Sequence, residues 1–402
     1  MSGVVVIGAG QAAASCVARL RADGFDGPIT LVGEEPVPPY QRPPLSKAYL
    51  LGEMEEARLY LRPETWYADN DVALRTGQRA EAIDREARTV TLSDGEALPY
   101  DHLVLTTGAR PRRLPAAIGG DLGGVYTMRT LADADAMAPE FREGARLLVI
   151  GGGYIGLEAA AVAAKKGVEV TLVEMAERIL GRVACAETAA HFRALHAAHG
   201  VDIREGVGLD RLTGEGRVSG ARLTDGSEIA VDFVIVGIGI LPDTALAETA
   251  GIDLDNGIAC DAFCRTSDPA IWAAGDCASF PTETGRLRLE SVGGAIDMGE
   301  AVARNIMGAG QPYVAKPWFW SDQYDTKLQI AGLGAGHDRI VVRRDGDGLS
   351  HWYYAGPRLL AVDAINDSRA YMVAKRLIEA GKSPAPEAVA DPATDLKALL
   401  RG

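Results

Sequence analysis

The strongest constraint in this sequence is a segment that occurs twice. Val4-Val5-Val6-Ile7 runs into Gly8-Ala9-Gly10-Gln11-Ala12-Ala13, a helical stretch follows to about Ala22, and a second apolar run covers Ile29–Val32. Leu147-Leu148-Val149-Ile150 runs into Gly151-Gly152-Gly153-Tyr154-Ile155-Gly156, followed by a helical stretch to about Lys166 and a strand Glu169–Val173. Short continuous apolar runs bounded by glycine turns read as buried strands and the alanine-rich stretches between them as helices, so each copy is a βαβ unit. An acid closes each second strand, Glu34 in the first copy and Glu174 in the second. Two copies about 140 residues apart are two Rossmann-type domains, not a solenoid.

The glycine spacing carries chemistry because of where it sits. Gly8-x-Gly10-x-x-Ala13 and Gly151-x-Gly153-x-x-Gly156 both lie between a strand and a helix with an acid about twenty residues on, the context of dinucleotide binding. The first two glycines let the backbone turn and approach a pyrophosphate, which lies on the helix N-terminus where amide N–H groups and the dipole favour anions. The third position must be small for the helix to pack on the strand, and Ala13 and Gly156 satisfy that. Gln11 and Ala12, Tyr154 and Ile155 open the two helices and join the expected binding sets. Glu34 and Glu174 are expected to accept hydrogen bonds from ribose hydroxyls. A carboxylate at Glu174 repels a 2′-phosphate and favours NADH over NADPH; Arg178 and Arg182 weaken that preference, and Arg182 is placed in the NAD set.

The symmetry extends beyond the glycines. Ser93-Asp94-Gly95 precedes a strand His102–Leu105 that ends in Thr106-Thr107-Gly108, and Thr224-Asp225-Gly226-Ser227 precedes a strand Phe233–Val236 that ends in Gly237-Ile238-Gly239. Thr107 and Gly108 are expected at the first nucleotide, Gly237 and Gly239 at the second. After Pro312 the texture changes. Four alternating strands (Leu328–Leu333, Arg339–Arg343, His351–Tyr354, Leu359–Val362) and a closing helix near Ser368–Ala380 suggest a third domain of α+β type. The expected fold is α/β, with two Rossmann-like dinucleotide-binding domains and a C-terminal α+β domain. Their expected bounds are 1–109 with 241–315 for the first nucleotide, 110–240 for the second, and 316–402 for the last domain. Ser383–Ala393 reads as a loosely packed arm.

What the composition excludes narrows the chemistry. The formal charge is −14, with 41 Lys and Arg against 55 Asp and Glu, which argues against nucleic acid or an anionic membrane as main partner. The longest apolar stretch, Leu147–Ala164, is broken by three consecutive glycines and Glu158 and is no membrane span. The five cysteines, Cys16, Cys185, Cys260, Cys264 and Cys277, form no CxxC, and an odd count without a targeting segment points to a reducing cytoplasm. The six histidines lack metal-ligand spacing, His191, His196 and His199 reading as a solvated helix face, so no metal site is expected.

Thr266-Ser267-Asp268-Pro269-Ala270-Ile271-Trp272-Ala273-Ala274-Gly275-Asp276 resembles the second FAD fingerprint of two-dinucleotide-binding flavoproteins, in which the terminal Asp bonds the ribityl chain and flavin end. With Pro43-Pro44-Leu45-Ser46-Lys47 and Phe319-Trp320-Ser321-Asp322, the chain resembles over nearly its whole length the FAD-dependent NADH:ferredoxin reductases of bacterial oxygenase systems, the putidaredoxin reductase group above all. These are relatives of the pyridine nucleotide-disulphide oxidoreductases that lack the redox disulphide. No cysteine lies between Cys16 and Cys185, which excludes dithiol chemistry in the stretch after the first βαβ unit.

The resemblance implies that Arg42 and Lys47 lie against the flavin and its phosphates, that Ala80 and Arg129 line the FAD site together with Asp276 and Ser291, that Val292 and Trp320 meet the isoalloxazine ring, and that Glu290 lies near the nicotinamide. It also implies a catalytic pair of Lys47 and Glu158. The implied partner is a small acidic [2Fe–2S] ferredoxin that supplies an oxygenase, with Arg304, Lys327, Arg339, Arg343 and Arg344 as candidate docking cations. Alternatives are a dioxygenase or rubredoxin reductase, an NADH oxidase, and a signalling flavoprotein like apoptosis-inducing factor.

Overall fold

A strand that is apolar at every position, such as Gly3–Ile7, has no face to offer water and belongs inside a parallel sheet covered on both sides. In the computed structural model, which describes residues 3–283 and 285–401, it lies between Ile29–Val32 and Ala97–Leu105, parallel to both. Val5 stands opposite Thr30 on one side and Leu103 on the other. Val72–Arg75 and Ile271–Ala273 flank this core in the same direction. The first part of Ala97–Leu105 turns to pair antiparallel with Thr89–Leu92, which continues to Ala80–Asp84. These strands belong to one of two units of the chain, made of Met1–Gln41, Glu56–Arg110 and Ile240–Pro317.

The other unit consists of Arg42–Glu55, Pro111–Gly239 and Trp318–Gly402. Its parallel sheet repeats the first plan. Arg146–Ile150 lies between Glu169–Glu174 and Phe233–Val236, with Asp202–Glu205 and Val125–Thr127 outside them. The segment after Pro317 forms a five-stranded antiparallel sheet, in the spatial order Trp318–Gln323, Thr326–Gly332, Arg358–Ile365, Gly348–Ala355, Arg339–Asp345. Trp318–Gln323 was not among the four expected strands, because its aromatic run hides a clean two-residue alternation. Helix Ser368–Glu379 is capped by the Asp367 carboxylate and buries Ala370, Tyr371, Val373, Ala374 and Leu377, positions that share one face. The fold is thus α/β with two Rossmann-like parallel sheets and a C-terminal α+β region.

The C-terminal arm is packed, contrary to the reading of Ser383–Ala393 as loose. Pro386–Ala390 forms a short helix, and Val389 and Leu396 are buried. The cause is Arg343, 2% exposed, whose guanidinium donates to the carbonyls of Val389, Asp391, Pro392 and Thr394 at 2.8–3.2 Å. Arg343 is therefore no docking cation: its charge faces the arm. Among the described residues no helix is long and apolar enough to cross a membrane.

Candidate functional site

In the first unit, Gly8 sits at φ +103°, and a Cβ there would lie 2.2 Å from the Thr106 carbonyl oxygen. Thr106 in turn donates its hydroxyl to the carbonyls of Ile7 and Gly8 at 2.9 and 2.8 Å, tying the turn to the adjacent strand end. Gly10 differs, for a Cβ there meets nothing within 4 Å. The helix that follows, Gln11–Ala22, has no side-chain cap and no acid in its first turn. Its leading amides point into open space with the dipole's positive end, as an anion requires. The Gly275–Asp276 turn comes to the same place, since a Cβ on Gly275 would lie 3.1 Å from the Ala12 side chain. Arg288 Nη1 pairs with Glu290 at 2.7 Å and donates to the Asp276 carbonyl at 3.2 Å, joining two expected site residues. Glu34 is exposed and pairs with Arg110 at 3.2 Å. The Thr107 hydroxyl donates to the Asp243 carbonyl, Ala80 opens its hairpin strand, and Ser291 caps the helix that begins at Val292.

The second unit repeats the cradle. Gly151 is at φ +103° with its would-be Cβ 2.4 Å from the Gly237 carbonyl oxygen, and Gly153, like Gly10, faces open space. Helix Tyr154–Lys165 also lacks a side-chain cap and a first-turn acid. Glu174 is built into the turn: Oε2 accepts the Gly152 amide at 2.7 Å and Oε1 the Ala176 amide at 2.8 Å. A carboxylate so held stays where a ribose would be read. Ile155 and Ile238 are exposed around it, as is Arg182, and Gly239 lies at φ +94°.

The same helix carries the third element. Tyr154 and Glu158 are one turn apart and share a face, while Phe319 and Ser321 are two apart and share a face of their strand. Tyr154 meets the Phe319 ring at 4.8 Å, and Glu158 Oε1 accepts from the Ser321 hydroxyl at 2.7 Å. Glu158 Oε2 accepts from Lys47 Nζ at 2.6 Å and from the Ser46 hydroxyl at 2.7 Å. Glu158 is 3% exposed, and its carboxylate meets three donors, one of them the Lys47 ammonium. On the opposite face of the strand Trp318 stacks on Trp320 at 5.4 Å and 20°. Arg42 donates to the Arg129 carbonyl at 2.8 Å. Of the expected FAD set, Arg42, Lys47, Arg129 and Trp320 belong to the second unit and the rest to the first.

Sequence reasoning missed Ser46, Ser321 and Gln323, because serine and glutamine signal nothing by type. His196 was read as part of a solvated face. It is fully buried, its Nε2 2.8 Å from Gln323 Oε1, because its helix presents that side to the Trp318–Gln323 strand.

The chain matches the pyridine nucleotide-disulphide oxidoreductase family over residues 2–299 and the reductase C-terminal family over residues 318–400. It belongs to the pyridine nucleotide-disulphide oxidoreductase family. It is similar to rhodocoxin reductase of Rhodococcus erythropolis, with 43% identity covering 99% of this chain and 94% of that protein. Putidaredoxin reductase of Pseudomonas putida is 41% identical, covering 99% of this chain and 96% of the relative. Among solved structures, the covalent putidaredoxin reductase–putidaredoxin complex superposes with a TM-score of 0.95 at 40% identity, covering 100% of this chain and 98% of the other. Membership of the family implies FAD and NAD(P), and both uncapped cradles, with open space above Gly10 and Gly153, fit a pyrophosphate.

One further cluster of ligand-type side chains exists among the described residues. Cys185, His351 and Asp363 are all buried, with their ligand atoms within 4.8 Å of one another. The Thr188 hydroxyl fills the centre, 2.7 Å from His351 Nδ1, 2.6 Å from Asp363 Oδ2 and 3.3 Å from Cys185 Sγ. Burial pushes the Asp363 carboxyl up to about 6 despite the Thr188 and Tyr353 donors, and burial pushes His351 down to about 4. The two act oppositely on stability. The Asp363 contribution is full below 3.8 and lost as pH rises through 6; that of His351 is full above 6.5 and lost as pH falls through 4. Between pH 4 and 6 the folded pair and the unfolded pair each bind one proton, so their effects cancel. Asp363→Asn removes one arm. Relative to the parent, its unfolding free energy in urea should then fall by about 1.4 kcal/mol per pH unit as pH drops from 6 to 4. Parallel pH profiles would show that the two groups do not titrate as described.

Proposed function

We propose that the chain is an NADH-dependent flavoprotein reductase. It passes electrons from NADH through FAD to a small acidic [2Fe–2S] ferredoxin that supplies an oxygenase, a monooxygenase of the cytochrome P-450 class. The observation that carries this reading is the pair of uncapped cradles in a chain whose five cysteines are all free and buried. Burial raises these thiols, Cys16 to about 12, so none is poised as a nucleophile and the electrons need an acceptor outside the chain. The names rhodocoxin reductase and putidaredoxin reductase, and the putidaredoxin complex, support a ferredoxin as that acceptor. Reduced free thiols also agree with a cytoplasmic setting.

Bound FAD supplies the conversion between hydride and single-electron traffic. The domain division is 1–109 with 241–315 for FAD, 110–240 for NAD, and 316–402. Gly8, Gly10 and the helix from Gln11 hold the FAD pyrophosphate, Glu34 the ribose and Asp276 the ribityl chain. Gly151, Gly153 and Glu174 hold NADH. Lys47, fixed in place by its contact with Glu158, presents a cation that favours added negative charge on the ring.

Glu174 accounts for the choice of donor. With both its oxygens already on backbone amides it cannot swing away from a 2′-phosphate. In anaerobic stopped-flow, NADPH should bleach the flavin with a second-order rate constant at least about tenfold below that of NADH, a difference of about 1.4 kcal/mol. Equal constants would remove that role from Glu174. In the same apparatus, rapid transfer from NADH-reduced protein to a [2Fe–2S] ferredoxin, with little oxygen consumption, is the expected result. Turnover on oxygen alone would make the protein an NADH oxidase, and a long-lived reduced complex reluctant toward every acceptor would make it a signalling flavoprotein.

A further inference from the structure

The hydrogen bonds at Glu158 do not stop at Ser321. Ser321 Oγ accepts from Gln323 Nε2 at 3.1 Å, Gln323 Oε1 is 2.8 Å from His196 Nε2, and His196 Nδ1 is 3.2 Å from the Tyr324 hydroxyl. Ser321, Gln323 and His196 are fully buried, while Tyr324 is half-buried and carries exposed His199 stacked on its ring at 3.6 Å and 12°.

Every proton in this line is assigned by the one before it. The Ser321 hydroxyl has one hydrogen and gives it to the carboxylate, so it can only accept from Gln323. The Gln323 amide then turns its oxygen toward His196, which must donate from Nε2. Nδ1 is left bare and takes the Tyr324 hydroxyl hydrogen. Four residues thus point their dipoles the same way, with the positive ends toward Glu158. An amide in the middle carries polarity but not a proton, since relaying one would require its imidic acid form. The line is therefore an oriented dipole chain and not a proton wire.

We propose that Gln323 and His196 are positioning residues that act through Ser321 on the Glu158–Lys47 pair and thereby set how easily the bound flavin is reduced. The inference rests on the function proposed above. Donors converging on Glu158 offset its negative field, so the Lys47 charge is felt with less cancellation; like dipoles in a buried line reinforce one another. Removing the line makes the site more negative and the flavin harder to reduce.

The test is the flavin midpoint potential of the FAD-loaded protein, measured against a reference dye, with FAD affinity and thermal unfolding as controls. Gln323→Glu replaces the donor toward Ser321 by an acceptor and is expected to lower the equilibrium constant for two-electron reduction about tenfold, about 30 mV. Gln323→Met should shift it in the same direction by less. Should either variant not fold, His196→Phe removes the next donor, and His196→Gln, which keeps a donor facing Gln323, should restore at least half of its shift. In a Lys47→Met background the Gln323→Met shift should shrink by more than half, the non-additivity that marks action through the pair. An unchanged potential in all folded variants, or an equal shift with and without Lys47, overturns the inference and leaves the proposed function standing. Protein that takes up no FAD at all overturns both.

Discussion

Gly153→Val is expected to fold normally and to lose NADH, while Gly156→Val should fail at folding. The two glycines are three residues apart in one turn, yet they are constrained by different things. At Gly153 the backbone is at φ −80° and a Cβ meets nothing within 4 Å, so the protein alone tolerates a side chain there. In the function proposed above that space is the approach path for a pyrophosphate, so filling it with an isopropyl group should raise the NADH dissociation constant at least about 100-fold, or about 2.7 kcal/mol. At Gly156 a Cβ would stand 2.2 Å from the Gly151 carbonyl oxygen and 3.3 Å from a Val149 methyl, so the helix would have to lift off its own strand. Thermal unfolding and NADH titration of the purified variants separate the cases. A destabilised Gly153→Val would show that the open space is needed by the chain itself. Gly10 and Gly8 make the same pair in the first unit, open space against a Cβ 2.2 Å from the Thr106 carbonyl.

Arg343→Met should release the C-terminal arm from the sheet it covers. Methionine fills a similar volume, so packing is little changed, but the carbonyls of Val389, Asp391, Pro392 and Thr394 lose their common donor. An unsatisfied buried carbonyl costs about 1–3 kcal/mol; the Val389 bond is buried and the other three part-buried, so their joint loss is comparable to what the arm gains by burying Val389 and Leu396. The arm should therefore detach before the sheet unfolds. Limited proteolysis is expected to cut first within residues 383–397, with an apparent Tm at least about 5 °C lower. Arg343→Lys should behave nearly as badly, because an ammonium on a flexible stem cannot span four acceptors as a planar fork does. An intact arm in both variants would mean that apolar contacts alone hold it.

How much of this was legible in the sequence depends on whether a residue's role is set by its neighbours in the chain. Strands Ile29–Val32 and Phe233–Val236 and helix Gln11–Ala22 have the residues expected, because a period and a glycine turn are local signals. Glu174 was singled out through its spacing from such a turn, and Asp276 through the resemblance of its segment to a flavin fingerprint. Trp318–Gln323 was hidden as a strand because aromatic bulk masked its alternation, and that alternation is what delivers Ser321 and Gln323 inward. His196 read as solvated because its helix is only weakly sided, and what buries it lies 127 residues downstream. Arg343 and the C-terminal arm failed for the same reason. A charged side chain satisfied by backbone carbonyls leaves no mark on composition or spacing.

The interleaving of the two units bears on how the protein is made. Lys47 and Ser46 are synthesised 111 and 112 residues before the carboxylate that receives them, and Ser321 follows Glu158 by a further 163. At about 5–20 residues per second, Lys47 waits several seconds for its counter-ion, and the carboxylate waits again for its last donor. The first unit in turn is closed only when the segment ending at Pro317 arrives, after most of the second has emerged. Neither unit can be finished early on the ribosome, so fragments of this chain should not be expected to fold as independent pieces.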